Sequence, residues 1–312
     1  MGLLAQGMNA SRPVEIIGAA WGLGGADPSC ADAPGVLAPL LAQRLEECGV
    51  ATLAGAMLRP SPTERRRELA VSKLCGLLAS AVAESIRNRR LPCVLGGDHS
   101  CAGGTWTGVA RTTAGELGLI WIDAHMDAHT PGTSHSGRLH GMPLAWLLGQ
   151  DDDPLYGLAS GVVQPQNVCL LGVRSYEPEE EVRLKRLGVR VIMMDEISER
   201  GLDDVMAEAL AIATGGTAAF GISIDLDAVT PEDAPGVGTP VPGGIAGHAL
   251  AQALAGIGAR EALAAVELVE YSPGADRDAR AARAAIAILK SALCGTGDEA
   301  QVVAHAVQRK HS

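Results

Sequence analysis

Hydrophobic and polar positions along this chain follow two rhythms. Short β-branched or leucine-rich runs occur at 14–20, 93–97, 117–124, 168–173, 190–195, 218–228 and 263–271. Each is almost continuously apolar, as expected of strands buried on both faces; a strand with one wet face would turn polar at every second residue. Longer mixed segments at 35–48, 64–88, 177–187, 203–214, 246–257 and 277–293 intervene and read as helices. The alternation predicts an α/β fold, a three-layer α/β/α arrangement with a mostly parallel central sheet covered by helices on both sides. No Pro/Ser-rich linker, composition break or repeat of 20 to 50 residues divides the chain. Residues 1–295 therefore read as a single domain, and 296–312 as a polar C-terminal tail that frays or docks on a neighbouring subunit; Gly295 and Gly297 stop the last helix.

Composition narrows the class. With 47% hydrophobic residues and a mean hydropathy of +0.16 the chain is not disordered. No apolar run reaches the eighteen or so uncharged residues of a membrane helix, and the first residues lack the basic start and apolar stretch of a signal peptide. A soluble, cytoplasmic protein is expected. The seven cysteines are an odd number without CxxC spacing, which fits buried thiols in a reducing compartment better than a disulfide framework. A net charge of −11 without a compensating basic cluster repels phosphate backbones and anionic lipid surfaces, so neither nucleic acid nor membrane is an expected partner.

Chemistry is concentrated in three segments, each after an apolar run: GGDHS at 96–100, WIDAHMDAHT at 121–130 and SIDLDAVTP at 223–231. An open α/β sheet presents its ligands at the carboxyl ends of its strands, so the three converge on one edge. Asp123, His125 and Asp127 lie at i, i+2 and i+4, which an extended segment places on one face. Asp225 and Asp227 repeat that logic, and two carboxylates so close repel each other or protonate unless a cation intervenes. His99 follows two glycines that permit close backbone approach, with Asp98 placed to orient its surroundings rather than to ligate. Four aspartates and two histidines favour Mn²⁺ over the thiolate sites of zinc, and a pair of such ions activates water as a nucleophile.

These motifs resemble the signature of the ureohydrolase superfamily, which comprises arginases, agmatinases and related guanidino hydrolases. The likeness extends to 130–149, to GVGTP at 236–240 and to ELVEYSP at 267–273, and so spans the whole predicted domain. It implies two Mn²⁺ per subunit, with Ni²⁺ or Co²⁺ as other possible ions. His99 and Asp127 would hold one ion and His125 and Asp227 the other, with Asp123 and Asp225 bridging. Asp127 would also hold the bridging hydroxide. Glu270 would pair with the substrate guanidinium, a planar fork that suits a carboxylate. His140 would pass a proton to the leaving amine. Homo-trimers or homo-hexamers are implied by the resemblance alone.

The loop before His140 is similar to that of arginases rather than agmatinases. Ser136 matches the serine that contacts the α-carboxylate, and Glu177 the acidic residue that contacts the α-amino group, which implies L-arginine as substrate and L-ornithine and urea as products. Five positions depart from the arginase pattern: His129 and Arg138 stand for asparagines, Glu177 for aspartate, Thr230 for aspartate and Ser272 for asparagine. His129 and Arg138 can both bind a carboxylate, Arg138 in bidentate fashion. Another guanidino compound (4-guanidinobutyrate, 3-guanidinopropionate, homoarginine, agmatine or guanidine) and a non-catalytic metal-binding homologue remain alternatives. A binuclear phosphatase is disfavoured, because no GNH-type loop is present. His135 and Arg65–Arg67 read as solvent-facing, His248 as a local helix-start residue, and Trp121 and Trp146 as packing beside the site.

Overall fold

The computed structural model describes residues 12–61, 63–150 and 161–294. Eight strands form one sheet: β1 (Val14–Ala19), β2 (Thr52–Leu58), β3 (Leu91–Gly96), β4 (Leu117–Ile122), β5 (Val168–Val173), β6 (Arg190–Met193), β7 (Ala219–Asp225) and β8 (Leu263–Val269). Their order is β2-β1-β3-β8-β7-β4-β5-β6, and every pairing between them is parallel. The helices are α1 (Ala33–Glu47), α2 (Arg67–Arg87), α3 (Ala102–Ala110), α4 (Pro143–Leu147), α5 (Pro178–Leu187), α6 (Met194–Arg200), α7 (Leu202–Thr214), α8 (Gly247–Ala253) and α9 (Arg280–Leu293).

Side chains on the central strands alternate between two cores, one on each face of the sheet. Cys93, Leu95, Ile120, Ile122, Ile222, Ile224, Val266 and Leu268 join α1 and α6–α9 in one core. Val94, Leu119, Trp121, Leu170 and Val269 join α2–α5 in the other. The period of two with both faces buried is what the apolar runs imply. The three-layer parallel α/β/α fold is therefore the one expected from sequence.

Some elements differ from the sequence reading. Strand β2 lies at the sheet edge with most of its residues exposed or half-buried, and its small residues (TLAGAML) give no sustained β-branched run. Helices α3, α4 and α6 were also not anticipated; α3 is AGGTWTGVA and buried throughout most of its length, so it shows no amphipathic stripe. The run at 190–195 ends earlier, because Met194 begins α6. The helix α2 is long and apolar enough, by length and composition, to cross a membrane, yet half of its apolar stretch is buried, with Val71, Leu74, Leu78 and Val82 in the core. Of the cysteines, Cys48 is exposed and Cys294 half-buried, unlike the buried five. The tail at 296–312 lies outside the described residues.

The loop after β3 shows why its motif begins with two glycines. Gly97 donates to Ala19 O at 2.9 Å, and Asp98 N donates to Trp21 O at 3.0 Å. A Cβ on Gly97 would lie 1.8 Å from Trp21 O, a clash with backbone rather than with a movable side chain. Gly97→Ala is expected to destabilise the protein by about 2–3 kcal/mol through this overpacking; urea unfolding monitored by circular dichroism measures the loss.

Candidate metal centre

Four strands that are neighbours in the middle of the sheet, β3, β8, β7 and β4, end at the same edge and deliver the chemistry. After β3, Asp98 caps a turn of 3-10 helix at His99–Cys101: one oxygen accepts from Ser100 N at 3.0 Å and the other from Gly24 N at 2.8 Å. It orients the loop, as expected. After β4, the Asp123–Asp127 segment is not extended. Asp123 Oδ1 accepts from His125 N at 2.7 Å, which turns the chain, and Asp127 adopts a left-handed φ of 49°. After β7, Asp225 Oδ1 accepts from Asp227 N at 2.9 Å and starts a second 3-10 turn. The convergence anticipated from spacing is present, but local carboxylate–amide turns produce it rather than one strand face.

The six side chains gather into two overlapping sets. His99, Asp123, Asp127 and Asp225 form one; Asp123, His125 and Asp227 form the other. His99 Nδ1 lies 3.3 Å from Asp123 Oδ2, 3.0 Å from Asp127 Oδ2 and 3.1 Å from Asp225 Oδ2. His125 Nδ1 lies 3.1 Å from Asp227 Oδ2 and 3.5 Å from Asp123 Oδ1. Asp123 thus belongs to both sets, whereas Asp225 groups with His99.

The chemistry of His99 tests whether a cation fits. Its Nε2 meets Ser223 Oγ at 2.9 Å, and that hydroxyl donates in turn to Glu267 Oε1 at 2.8 Å. The serine oxygen is left to accept, which assigns the ring proton to Nε2 and a bare lone pair to Nδ1. That buried Nδ1 has no hydrogen-bond partner although three carboxylate oxygens surround it. A divalent cation among these acceptors would turn their repulsion into ligation, and two imidazoles with four carboxylates are a donor set suited to such ions. Trp121 holds the arrangement from the side: its ring stacks on His99 with centroids 4.2 Å apart, and its Nε1 donates to Asp123 Oδ2 at 2.9 Å.

Protein charges alone leave the cage under strain. Burial, with repulsion from Asp227 and Asp123, pushes Asp225 well above the ordinary carboxylate range. Burial and Asp123 push Asp127 up to about 6. For Asp123 burial acts the same way, but His125 and His99 outweigh it and hold it below its ordinary value.

A cleft opens from this cage. Its lining includes His129, Ser136, Arg138, His140 and Glu177, so five of the anticipated substrate and proton-transfer residues share one space with the cage. His129 Nε2 contacts Glu177 Oε2 at 2.9 Å and Glu180 Oε2 at 3.4 Å. Glu270 instead sits deep beside the cage. Its Oε1 accepts from His99 N at 2.9 Å and meets His140 Nδ1 at 3.0 Å, and its backbone is left-handed, with φ 61°. Burial opposes the charge on His140, but attraction to Glu270 outweighs it and the imidazole is pushed up to about 9.

Other residues singled out in the sequence take the following places. His135 is exposed yet lines the cleft mouth. Arg67 donates to Gly137 O at 3.1 Å and so tethers the loop that carries Ser136 and Arg138. Trp146 and His248 are respectively a core residue and a local residue of α8, as expected. Ser272 meets Ser29 Oγ at 2.7 Å and hydrogen-bonds Asp27; Thr230 bonds Glu232 at the surface.

Several contributors escaped sequence reasoning. Glu180, buried on the cleft wall, accepts from Ala128 N at 2.9 Å and Glu177 N at 3.1 Å, and burial pushes it up to about 8. Its position three residues after Glu177, at a helix start with Pro178, is a capping-box spacing that could have revealed it. Arg174 donates to Asp227 O at 2.7 Å and Val241 O at 3.1 Å, clamping the loop after β7. Thr239 donates to Asp227 Oδ2 at 3.0 Å. Ser223 and Glu267 lie inside strands, where no local pattern marks a long-range partner.

Comparisons with known proteins agree with this geometry. Residues 14–295 match the sequence profile of the Arginase family. The chain is 37% identical over 292 residues to an arginase of Bacillus caldovelox, covering 90% of this chain and 97% of that one. A native crystal structure of the arginase from that organism superposes with a TM-score of 0.85 at 34% identity, covering 90% and 98% of the two chains. An arginase of Entamoeba histolytica, solved in complex with L-ornithine, superposes with a TM-score of 0.83 at 26% identity, covering 91% and 99%.

Ser223→Ala removes the acceptor that fixes the His99 tautomer without touching a cage residue. It is expected to weaken divalent-cation binding roughly 10–100-fold, as loss of such supporting contacts does, while the fold persists. Titration of the chelator-stripped protein with Mn²⁺ by calorimetry measures the change.

Proposed function

Since this chain belongs to the arginase family and is a hydrolase of that kind, we propose that it cleaves the guanidino group of L-arginine to give L-ornithine and urea. In this reading His99, Asp123, His125, Asp127, Asp225 and Asp227 would hold two Mn²⁺ ions. The observation that carries the reading is the unpartnered His99 Nδ1 inside two overlapping ligand sets, opening on a cleft with His140 at its wall. When bound, the cations supply Lewis acidity and an activated water.

The chain's own residues do the rest. His140 keeps its proton at neutral pH because Glu270 faces its Nδ1 at 3.0 Å, so it is poised to donate to the departing amine. Glu270 and Asp127 offer carboxylates for the planar guanidinium and the attacking water. Ser136 and Arg138 line the cleft at its outer loop, which supports reading them as contacts for a substrate carboxylate. The left-handed backbones of Asp127 and Glu270 aim both carboxylates at the cage, a conformation that costs on the order of 1–3 kcal/mol each and persists where function fixes it. Arginase resemblance also supports a homo-trimer or homo-hexamer in the cytoplasm, which sedimentation velocity and fractionation test.

A second reading rests on one contact. His129 engages Glu177, the carboxylate expected to receive the α-ammonium group, at 2.9 Å. An acid with an internal partner discriminates less for an ammonium, while Arg138 still attracts a carboxylate, so an ω-guanidino acid without an α-amino group is the alternative substrate.

Urea release by the Mn²⁺-loaded protein from L-arginine, L-homoarginine, agmatine, 4-guanidinobutyrate, 3-guanidinopropionate and guanidine decides between the two. Preference for L-arginine is expected. Preference for 4-guanidinobutyrate establishes the second reading, and metal binding without urea from any member of the panel overturns both. The rate is expected to rise from neutral pH and to fall again as His140 loses its proton, near 9 with protein charges alone. His140→Asn should lower kcat roughly 10²-fold or more and remove the descending limb of the pH profile; an unchanged limb assigns it to another group.

A further inference from the structure

Among the described residues, one group of metal-ligating side chains stands outside the cage. His129, Glu177 and Glu180 each present a donor atom within 4.8 Å of the other two, and none of the three belongs to either cage set. All three line the cleft. His129 and Glu180 are buried, whereas Glu177, the N-cap of α5, is exposed. His129 Nε2 lies 2.9 Å from Glu177 Oε2 and 3.4 Å from Glu180 Oε2.

The hydrogen bonds of the His129 ring bear on what belongs between these groups. Thr133 Oγ1 accepts from Thr130 N at 3.0 Å and donates to Thr130 O at 3.4 Å. Its second lone pair is left for Nδ1–H of His129 at 3.1 Å, which puts the bare nitrogen of the neutral ring at Nε2. That lone pair faces two carboxylate oxygens. A divalent cation there would turn three mutually repelling acceptors into ligands. Two of the three are held from behind, as metal ligands commonly are. Thr133 orients the imidazole, while Glu180 accepts from Ala128 N at 2.9 Å and from Glu177 N at 3.1 Å. Arg183 donates to Ala128 O and fixes that stretch of backbone in turn.

We propose that His129, Glu177 and Glu180 form a cation site separate from the cage, which takes a single Zn²⁺. Donor atoms about 2.0–2.1 Å from a zinc ion stand about 3.3–3.4 Å from one another around a tetrahedron. The pair His129 Nε2 and Glu180 Oε2 stands 3.4 Å apart, and a small rotation of the exposed Glu177 side chain opens the shorter distance. Three protein ligands leave the fourth position to water. An imidazole with two carboxylates binds Zn²⁺ more tightly than Mn²⁺, so the site fills with zinc even when the cage holds manganese. The consequence rests on the arginase reading of the cleft, in which Glu177 receives the α-ammonium group of L-arginine. The ion takes that place, like charge excludes the substrate, and Zn²⁺ inhibits in competition with L-arginine.

In the test, the full-length protein and its His129→Asn and Glu180→Gln variants are loaded with Mn²⁺, dialysed to equilibrium against buffered free Zn²⁺, and their total metal per subunit is counted by mass spectrometry. Wild type is expected to hold one ion more than either variant. The cage residues are the same in all three chains, so the difference depends neither on how many ions the cage holds nor on exchange of Mn²⁺ for Zn²⁺ within it. Circular dichroism verifies the folds, and if Glu180→Gln unfolds, His129→Asn decides alone. Equal counts overturn the site, as does an anomalous diffraction signal at the zinc edge that is absent from His129 Nε2. Zn²⁺ should also raise the KM for L-arginine roughly 10-fold or more in wild type relative to its effect on His129→Asn; an equal effect on both overturns the inhibition. Failure of the zinc-free protein to release urea from L-arginine, with the one-ion difference intact, overturns the arginase reading and leaves the site standing.

Discussion

Like charges held together in a buried space dominate this structure. Asp123, Asp127, Asp225 and Asp227 are all buried at one edge of the sheet, with Asp98, Glu267 and Glu270 buried around them. Carboxylates in such numbers raise one another's proton affinity and oppose their own packing. The surrounding groups answer that repulsion through geometry rather than bulk. Asp98, Asp123 and Asp225 each turn an oxygen towards a backbone amide two residues ahead, while Trp121, Thr239 and the main chain at Ala124 take up further lone pairs. What is left over points inward, where a bare imidazole nitrogen and several oxygens converge and only positive charge completes the set.

The two cores serve that edge. Because both faces of the central strands are packed, β3, β8, β7 and β4 hold a fixed register, and the loops beyond them begin from fixed points. Main-chain bonds then tie the loops together: Glu270 N to Gly97 O at 2.8 Å, His140 N to Gly24 O at 3.2 Å and Leu144 N to Asp127 O at 3.0 Å. The irregular segments at the strand ends are in this sense as determined as the sheet beneath them. The uncommon backbones of Asp127 and Glu270 are tolerated there because neighbours on several elements over-determine them.

The layer architecture and all six cage residues were legible in the sequence, for a physical reason: buried parallel strands write continuous apolar runs, and metal ligands must be crowded at their ends. Legibility failed where a residue acts through distance. Ser223 and Glu267 support His99 from inside two strands, and an apolar-run reading has no place for a polar residue whose partner is 124 or 44 positions away. Edge strand β2 escaped because one side of it needs no burial. Helix α3 escaped because it is buried nearly all round, so it lacks the stripe by which helices are recognised. The i, i+2, i+4 argument reached the right residues by a wrong conformation: spacing placed the side chains together, but turns rather than pleats achieve it.

The strand order carries a consequence for how the protein comes into being. β1 to β3 form one block of the sheet and β4 to β6 another, and β7 and β8 are the strands that separate and join them. His99 on the first block can face Asp123 on the second only after the last two strands have been inserted between them. During synthesis, most of the chain must therefore leave the ribosome before the two halves can register, and the unfilled gap exposes two strand edges that are both apolar and unpaired. Assembly of the cage is thus a late and strongly non-local event, and the slowest contacts to form are the ones on which the chemistry depends.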